Sequence, residues 1–185
     1  MTRPARRARD PEGRRRAIIE AAVRVIAERG VAGVTHRRVA EVAGVPVGST
    51  TYYFKDLDEL IRLGLRHAAN VSVRALQQWN QDLATTDDLA ATLAGFVAET
   101  VADVDRHRSL NELYAAAAHR PELRPLARLW SDGLGEVLAP RVGPRAARAI
   151  AVYLDGILVH ALVTDDPVDI DTLTAGVTAI AALRD

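Results

Sequence analysis

The sequence predicts an all-α protein in two parts, a basic unit of three helices followed by a longer, acidic helical domain. Three observations predict it. Apolar residues recur at three- and four-residue spacing from end to end, and no segment sustains the period of two that marks a strand. The 185 residues are 49% hydrophobic but only 4% aromatic, enough aliphatic material for one large core or two small ones sharing an interface. Charge divides the chain: residues 1–55 hold twelve Arg and Lys against five Asp and Glu, net +7, and residues 56–185 hold twelve against nineteen, net −7. The overall charge of zero therefore hides a basic module, the part suited to phosphate, joined to an acidic one. The absence of cysteine excludes disulfide scaffolds, thiolate zinc sites and cysteine nucleophiles. The N-terminal MTRPARRARD lacks the apolar region of a secretory signal. The longest oily stretch, Ala149 to Val163, is shorter than a bilayer span and carries Asp155 and His160. A cytoplasmic protein with no membrane partner is expected.

The first helix starts at Asp10 as N-cap with Pro11 in the first helical position, where its missing N–H costs nothing. Its core stripe is Ile18, Ile19, Ala22, Val23 and Ile26, and Gly30 stops it. Thr35 reads as the N-cap of a second, short helix, with Val34 and Val39 placed as a hydrophobic staple and Gly44 supplying the left-handed turn. Pro46 opens a third short helix through about Tyr53. A long helix begins after Asp56 with Leu60, Ile61, Leu65, Ala68, Ser72, Leu76, Trp79 and Leu83 on one side. Further helices are predicted over about 88–104, 107–118, 121–138, 144–163 and 170–183, with breaks that include Asp105–Arg106 and Pro140–Pro144.

Two short helices joined by a tight Gly-containing turn and packed on a preceding helix form a helix-turn-helix, whose second helix lies in the major groove of DNA. Here that helix is PVGSTTYYF. Val47 offers apolar contact, Gly48 close approach, Ser49, Thr50 and Thr51 hydroxyls, and Tyr52 and Tyr53 polar-tipped rings, a mixture suited to phosphates and base edges. Arg37 and Arg38, just after the Thr35 cap, are placed to clamp phosphate from the flank. The Arg3–Arg9 arm is either a minor-groove contact or a disordered end.

The run from Gly13 to Leu60 resembles the DNA-binding domain of the tetracycline-repressor (TetR) family. The resemblance rests on the ERG helix end, the T-x-R-x-V-A entry (Thr35, Arg37, Val39, Ala40), the AGV turn (Ala43, Gly44, Val45), Gly48 and Phe54. Three positions depart from the common pattern: Pro46 where a Ser often caps the reading helix, Thr51 where a Tyr commonly contacts phosphate, and Leu57 where many members have a Lys. Tyr52, Tyr53 and Lys55 are nearby substitutes. The resemblance implies that residues 1–55 are the DNA-binding domain and residues 56–185 a ligand-binding and dimerising one.

The acidic half carries no HExxH, no Gly-rich phosphate loop and no nucleophile elbow, so no cofactor, metal or catalytic residue is expected. Asp103-x-Asp105-x-His107 reads as a solvated helix end. Asp155 and His160 are five residues apart on one helix and face different sides, which argues against an acid–base pair. Pocket candidates are His107, Asn111 and Tyr114 on one helical face and Tyr153 and His160 on another, which would outline an effector cavity if the faces converge, with Trp79 and Trp130 capping or lining it. Each of these residues also has a plain structural use in packing. Asp155 in an apolar helix needs a partner, with a His or Arg across an interface as a candidate. Helices 144–163 and 170–183 carry broad apolar surfaces with small residues (Ala149, Gly156, Ala161) suited to a two-fold bundle. The sequence therefore points to a homodimeric, effector-responsive regulator of double-stranded operator DNA. The alternative is a helical sensor that binds DNA weakly.

Overall fold

The computed structural model describes residues 10–164 and 167–183, which form nine α-helices and no strand. The Arg3–Arg9 arm lies outside the described residues. Helix α1 (Pro11–Arg29) is capped by the Asp10 carboxylate, which accepts from the Gly13 N–H at 2.8 Å, and it ends at Gly30 with φ +68°. Its buried stripe is Ile18, Ala21, Ala22, Val25, Ile26 and Ala27, so the expected stripe is turned slightly and Ile19 and Val23 lie at its flanks. A 3-10 turn (Val31–Gly33) leads to α2 (His36–Ala43). Thr35 caps α2 through a 3.2 Å bond from the Arg38 N–H, while Val34 and Val39 are both buried at its entry. Gly44 takes the left-handed conformation at φ +65°, and Pro46 leads into α3 (Val47–Tyr53).

Helix α4 (Leu57–Thr85) runs 29 residues, about 43 Å at the standard rise, from the short helices into the second half of the chain. Asp56 caps it, and Gly64 lets α1 approach closely: a Cβ there would lie 3.2 Å from Ile26 Cδ1 and 3.4 Å from Ala22 Cβ. Helices α5 (Leu89–Ala102), α6 (Val104–His119), α7 (Arg124–Val142), α8 (Pro144–Val163) and α9 (Ile170–Ala181) complete the fold. α7 and α8 pack along each other, α9 lies on α5 and α8, and α1 packs on α2, α4 and α6. One contiguous core extends from Ile18 through Phe54 and Leu65 to Trp130, Leu154 and Val177.

Two boundaries and one reading of length differ from expectation. The α5–α6 break falls at Asp103, not Asp105–Arg106, because Asp103 both ends α5 and caps α6 by accepting from the Arg106 N–H. α7 continues through Pro140 into its last turn and stops at Gly143. The oily stretch expected to fall short of a bilayer belongs to a 20-residue helix that is long and apolar enough by composition to cross one. Ala146, Ala147, Ile150, Ala151, Leu154 and Leu158 on its inner face are packed in the core, while Val152, Val159 and Val163 on its outer face are exposed.

Candidate DNA interface and effector site

Alternate residues of α3 divide between holding the helix and presenting it. Thr50 is fully buried; its hydroxyl donates to the Val47 carbonyl at 2.7 Å and lies 3.1 Å from His36 Nδ1, bridging α3 to the start of α2. Phe54 is also buried and seals the C-terminal end, with the Arg15 guanidinium over its ring at 5.5 Å. Val47 (45% exposed), Gly48, Thr51 and Tyr52 (82% exposed) face outward. Space around Gly48 is open among the described residues, none of which requires a glycine there. Tyr53 is half-buried and meets Tyr52 edge-on at 5.1 Å between ring centroids. Thr35, Arg37 and Lys55 are exposed, and Arg38 and Ser49 are half-buried. A cleft of about 540 Å³ lies between the start of α1 and α3, lined by Asp10, Arg14, Pro46, Gly48, Ser49 and Tyr52 among others. The expectation that Thr50 offers its hydroxyl to a partner is corrected, because that group is spent inside the protein.

Such a surface can present hydroxyls, phenols and flexible cations to a polyanion, held by a buried scaffold. Two of the unusual positions are also placed. The Thr51 hydroxyl donates to the Gly48 carbonyl at 3.2 Å, and Leu57 is half-buried against the core at the start of α4.

In the second half, α8 meets α6 through a different face from the one expected. The Tyr114 hydroxyl lies 3.4 Å from both carboxylate oxygens of Asp155, and His107 faces the Leu158 carbonyl. Tyr153 points to α9, where a methyl on Gly176 would run into its hydroxyl, and His160 is exposed. The face of Tyr153 and His160 therefore does not converge with that of His107, Asn111 and Tyr114. The reason is helical geometry: Asp155 is 200° from Tyr153, and α8 turns Leu154, Asp155 and Leu158 toward its neighbours. The partner of Asp155 is thus a tyrosine of the same chain, and it has no ion pair with a described residue.

Trp79 stacks on Phe96 at 4.2 Å and meets Trp130 edge-on at 5.0 Å, so both tryptophans belong to the core. The Trp130 indole N–H is buried without a completed hydrogen bond, yet lies near enough to Asp155 to favour its charged form. Burial dominates and pushes the Asp155 carboxyl up to about 6. The same burial, then the charge of Asp155, raises the Tyr114 phenol. His107 is 2% exposed, its Nε2 completes no hydrogen bond among the described residues, and burial holds its pKa below the ordinary value. Asn111 is occupied by its own helix, donating to the His107 carbonyl at 3.1 Å. An open groove of about 450 Å³ runs beside Tyr114, lined by Ala117, Ala118, Arg124, Ala127, Arg128 and Ser131. The residues brought together are thus Trp79, His107, Tyr114, Trp130 and Asp155. Phe96 was not visible in sequence because it is one of many apolar residues in an apolar helix.

Comparison with known proteins agrees with both halves. Residues 18–62 match the family described as "Bacterial regulatory proteins, tetR family", and residues 84–183 match "Tetracyclin repressor-like, C-terminal domain". The chain is 29% identical over 174 residues to the HTH-type transcriptional regulator BetI of Cronobacter sakazakii, covering 86% of this chain and 84% of that one. A TetR-family structure from Streptomyces coelicolor A3 is 41% identical, covers 90% of this chain and 97% of its own, and superposes with a TM-score of 0.80. The multidrug binding protein EbrR complexed with ethidium is 41% identical over 93% of this chain and 99% of its own, at a TM-score of 0.77. The chain belongs to the TetR family of helix-turn-helix transcriptional regulators.

Proposed function

We propose that the protein is a repressor that binds a quasi-palindromic operator as a homodimer and is released by a small-molecule effector, acting in the cytoplasm where its DNA is. Residues 1–55 read DNA and residues 56–185 sense the effector and dimerise. The observation that carries the reading is the division of α3, with Thr50 and Phe54 anchoring it while Val47, Gly48, Thr51 and Tyr52 face solvent. Tyr52 and Lys55 are exposed and supply the phosphate contacts that Thr51 and Leu57 do not.

A second copy covers α8. Val152 (63% exposed), Gly156, Val159 and Val163 (75% exposed) recur at i, i+4, i+7 and i+11, an uncovered apolar stripe with a small residue at its centre, continued on α9 by Ile170. The effector site lies where Asp155, Tyr114 and Trp130 meet. A half-buried carboxylate with aromatic neighbours and no cationic partner among the described residues favours a planar organic cation. EbrR, a similar protein, is complexed with ethidium, proflavin and malachite green. The effector acts only as far as it binds the DNA-incompetent arrangement more tightly, shifting the spacing of the two reading helices through α4.

The test is fluorescence anisotropy of the full chain on duplex genomic fragments between about 50 and 200 mM salt, with and without malachite green. Saturable binding whose logarithm falls linearly with log salt, and which weakens with the dye, supports the reading. Absence of duplex binding at the lowest salt favours instead a helical sensor that has kept the shape of a DNA reader.

A further inference from the structure

Helix α6 is gripped on two opposite sides. Glu112 and Tyr114 are two residues apart, which separates them by 200° around the helix. Tyr114 meets Asp155 of α8. On the other side the Glu112 carboxylate reaches the connection between α1 and α2, where it accepts the Val31 N–H at 2.8 Å. Eighty-one residues separate the two partners, and both are half-buried. The N–H of Val31 opens the 3-10 turn that joins the first helix to the helix-turn-helix, so its position sets the entry of α2.

Gly30 leaves the room that this bond needs. Gly30 adopts φ +68°, and a Cβ there would lie 3.2 Å from Glu112 Oε2, so any side chain at 30 would crowd the carboxylate. The bond joins an ion to a backbone donor, which makes it stronger than a neutral hydrogen bond in the same place. It also sets a negative charge near the negative end of α1, with Arg29 in the last turn as the local counterweight. Those opposing effects suit a contact that holds in one arrangement and opens in another. The second link from this end of α6, Arg120 to Asp58 at 3.2 Å, joins exposed side chains and contributes little.

We infer that Glu112 is a positioning residue that couples α6 directly to the DNA-reading helices through the Val31 amide, by a path that does not pass through α4. The inference rests on the proposed effector reading for its biological use, since a ligand lodged between α6 and α8 would move Glu112 with Tyr114. The contact itself is testable without any ligand.

A double-mutant cycle on operator affinity with the full chain compares wild type, Glu112→Ala, Tyr114→Phe and the pair. Loosening α6 from α8 should change operator affinity in wild type, and that change should shrink at least threefold once Glu112 is gone. Glu112→Gln, which keeps an acceptor oxygen, should restore most of it. Effects that multiply to within twofold would overturn the inference and leave Glu112 as a stabilising residue only. Hydrogen exchange at the Val31 amide supplies a readout independent of DNA. It should speed at least tenfold in Glu112→Ala and respond to Tyr114→Phe, and exchange unchanged in both variants overturns the inference. If exchange responds while malachite green releases no DNA from wild type, the coupling stands and the effector reading fails.

Discussion

Thr50 and Tyr52 are two residues apart on one short helix and do opposite work. Thr50 spends its hydroxyl on Val47 and His36, whereas Tyr52 is 82% exposed and bonds to nothing described. Tyr52→Ala should therefore weaken operator binding by roughly tenfold, about one charge-assisted or stacked contact, with the melting temperature unchanged. Thr50→Ala should instead lower stability by about 1–2 kcal/mol in chemical denaturation, since it unties α3 from α2. Equal melting losses in both variants would contradict this division. Asp155 makes a prediction of another kind. Its pKa of about 6 lies above the ordinary 3.8, so folding favours the protonated carboxyl. Below about pH 4 the group is neutral in both folded and unfolded chains and carries no penalty. As pH rises through about 6 the folded chain must hold a desolvated charge, and stability falls. Asp155→Asn should raise the melting temperature above pH 6, with the gain shrinking toward zero near about pH 4. A gain that grows on acidification would show that the carboxylate is held ionised by a partner.

Among the elements, α4 makes the sharpest demand on packing. Gly64 brings α1 against it, and Gly64→Val would press two methyl groups into Ile26 and Ala22. We expect a loss of about 1–3 kcal/mol in thermal or urea unfolding, and an unaltered midpoint would mean that the helices can separate without cost. The caps of α1 and α2 were legible in the sequence because capping is local chemistry: Asp10 and Thr35 each accept an N–H three residues on, as Asp56 and Asp169 do at α4 and α9. The α5–α6 boundary was not, because Asp103 and Asp105 are both plausible caps and only the packing selects the first. The contacts that shape the second half were hidden for a related reason. Periodicity shows that α8 has an apolar face but not which neighbour meets it, so Tyr153 and His160 looked equivalent to the face that carries Asp155. Glu112 and Gly64 carry no sequence signal of their own, since a Glu on a helix and a Gly beside leucines are common for other reasons.

At the scale of the whole molecule, the helix-turn-helix half and the C-terminal helical half share one core, and α8 exposes an apolar stripe among the described residues. If a second copy covers it, Val152→Arg with Val159→Arg should convert a dimer of 20.0 kDa chains to monomers in light scattering and cost operator affinity far more than any single contact on α3. A variant that stays dimeric would place the interface elsewhere. The central claim, that the outward face of α3 reads duplex DNA as a symmetric pair, is tested most directly by hydroxyl-radical footprinting of the full chain on a duplex selected from a random library. The account predicts two protected half-sites on one face of the duplex, centred about 34–36 Å apart, both lost in Tyr52→Ala. A single protected patch, or protection that survives that substitution unchanged, would contradict it.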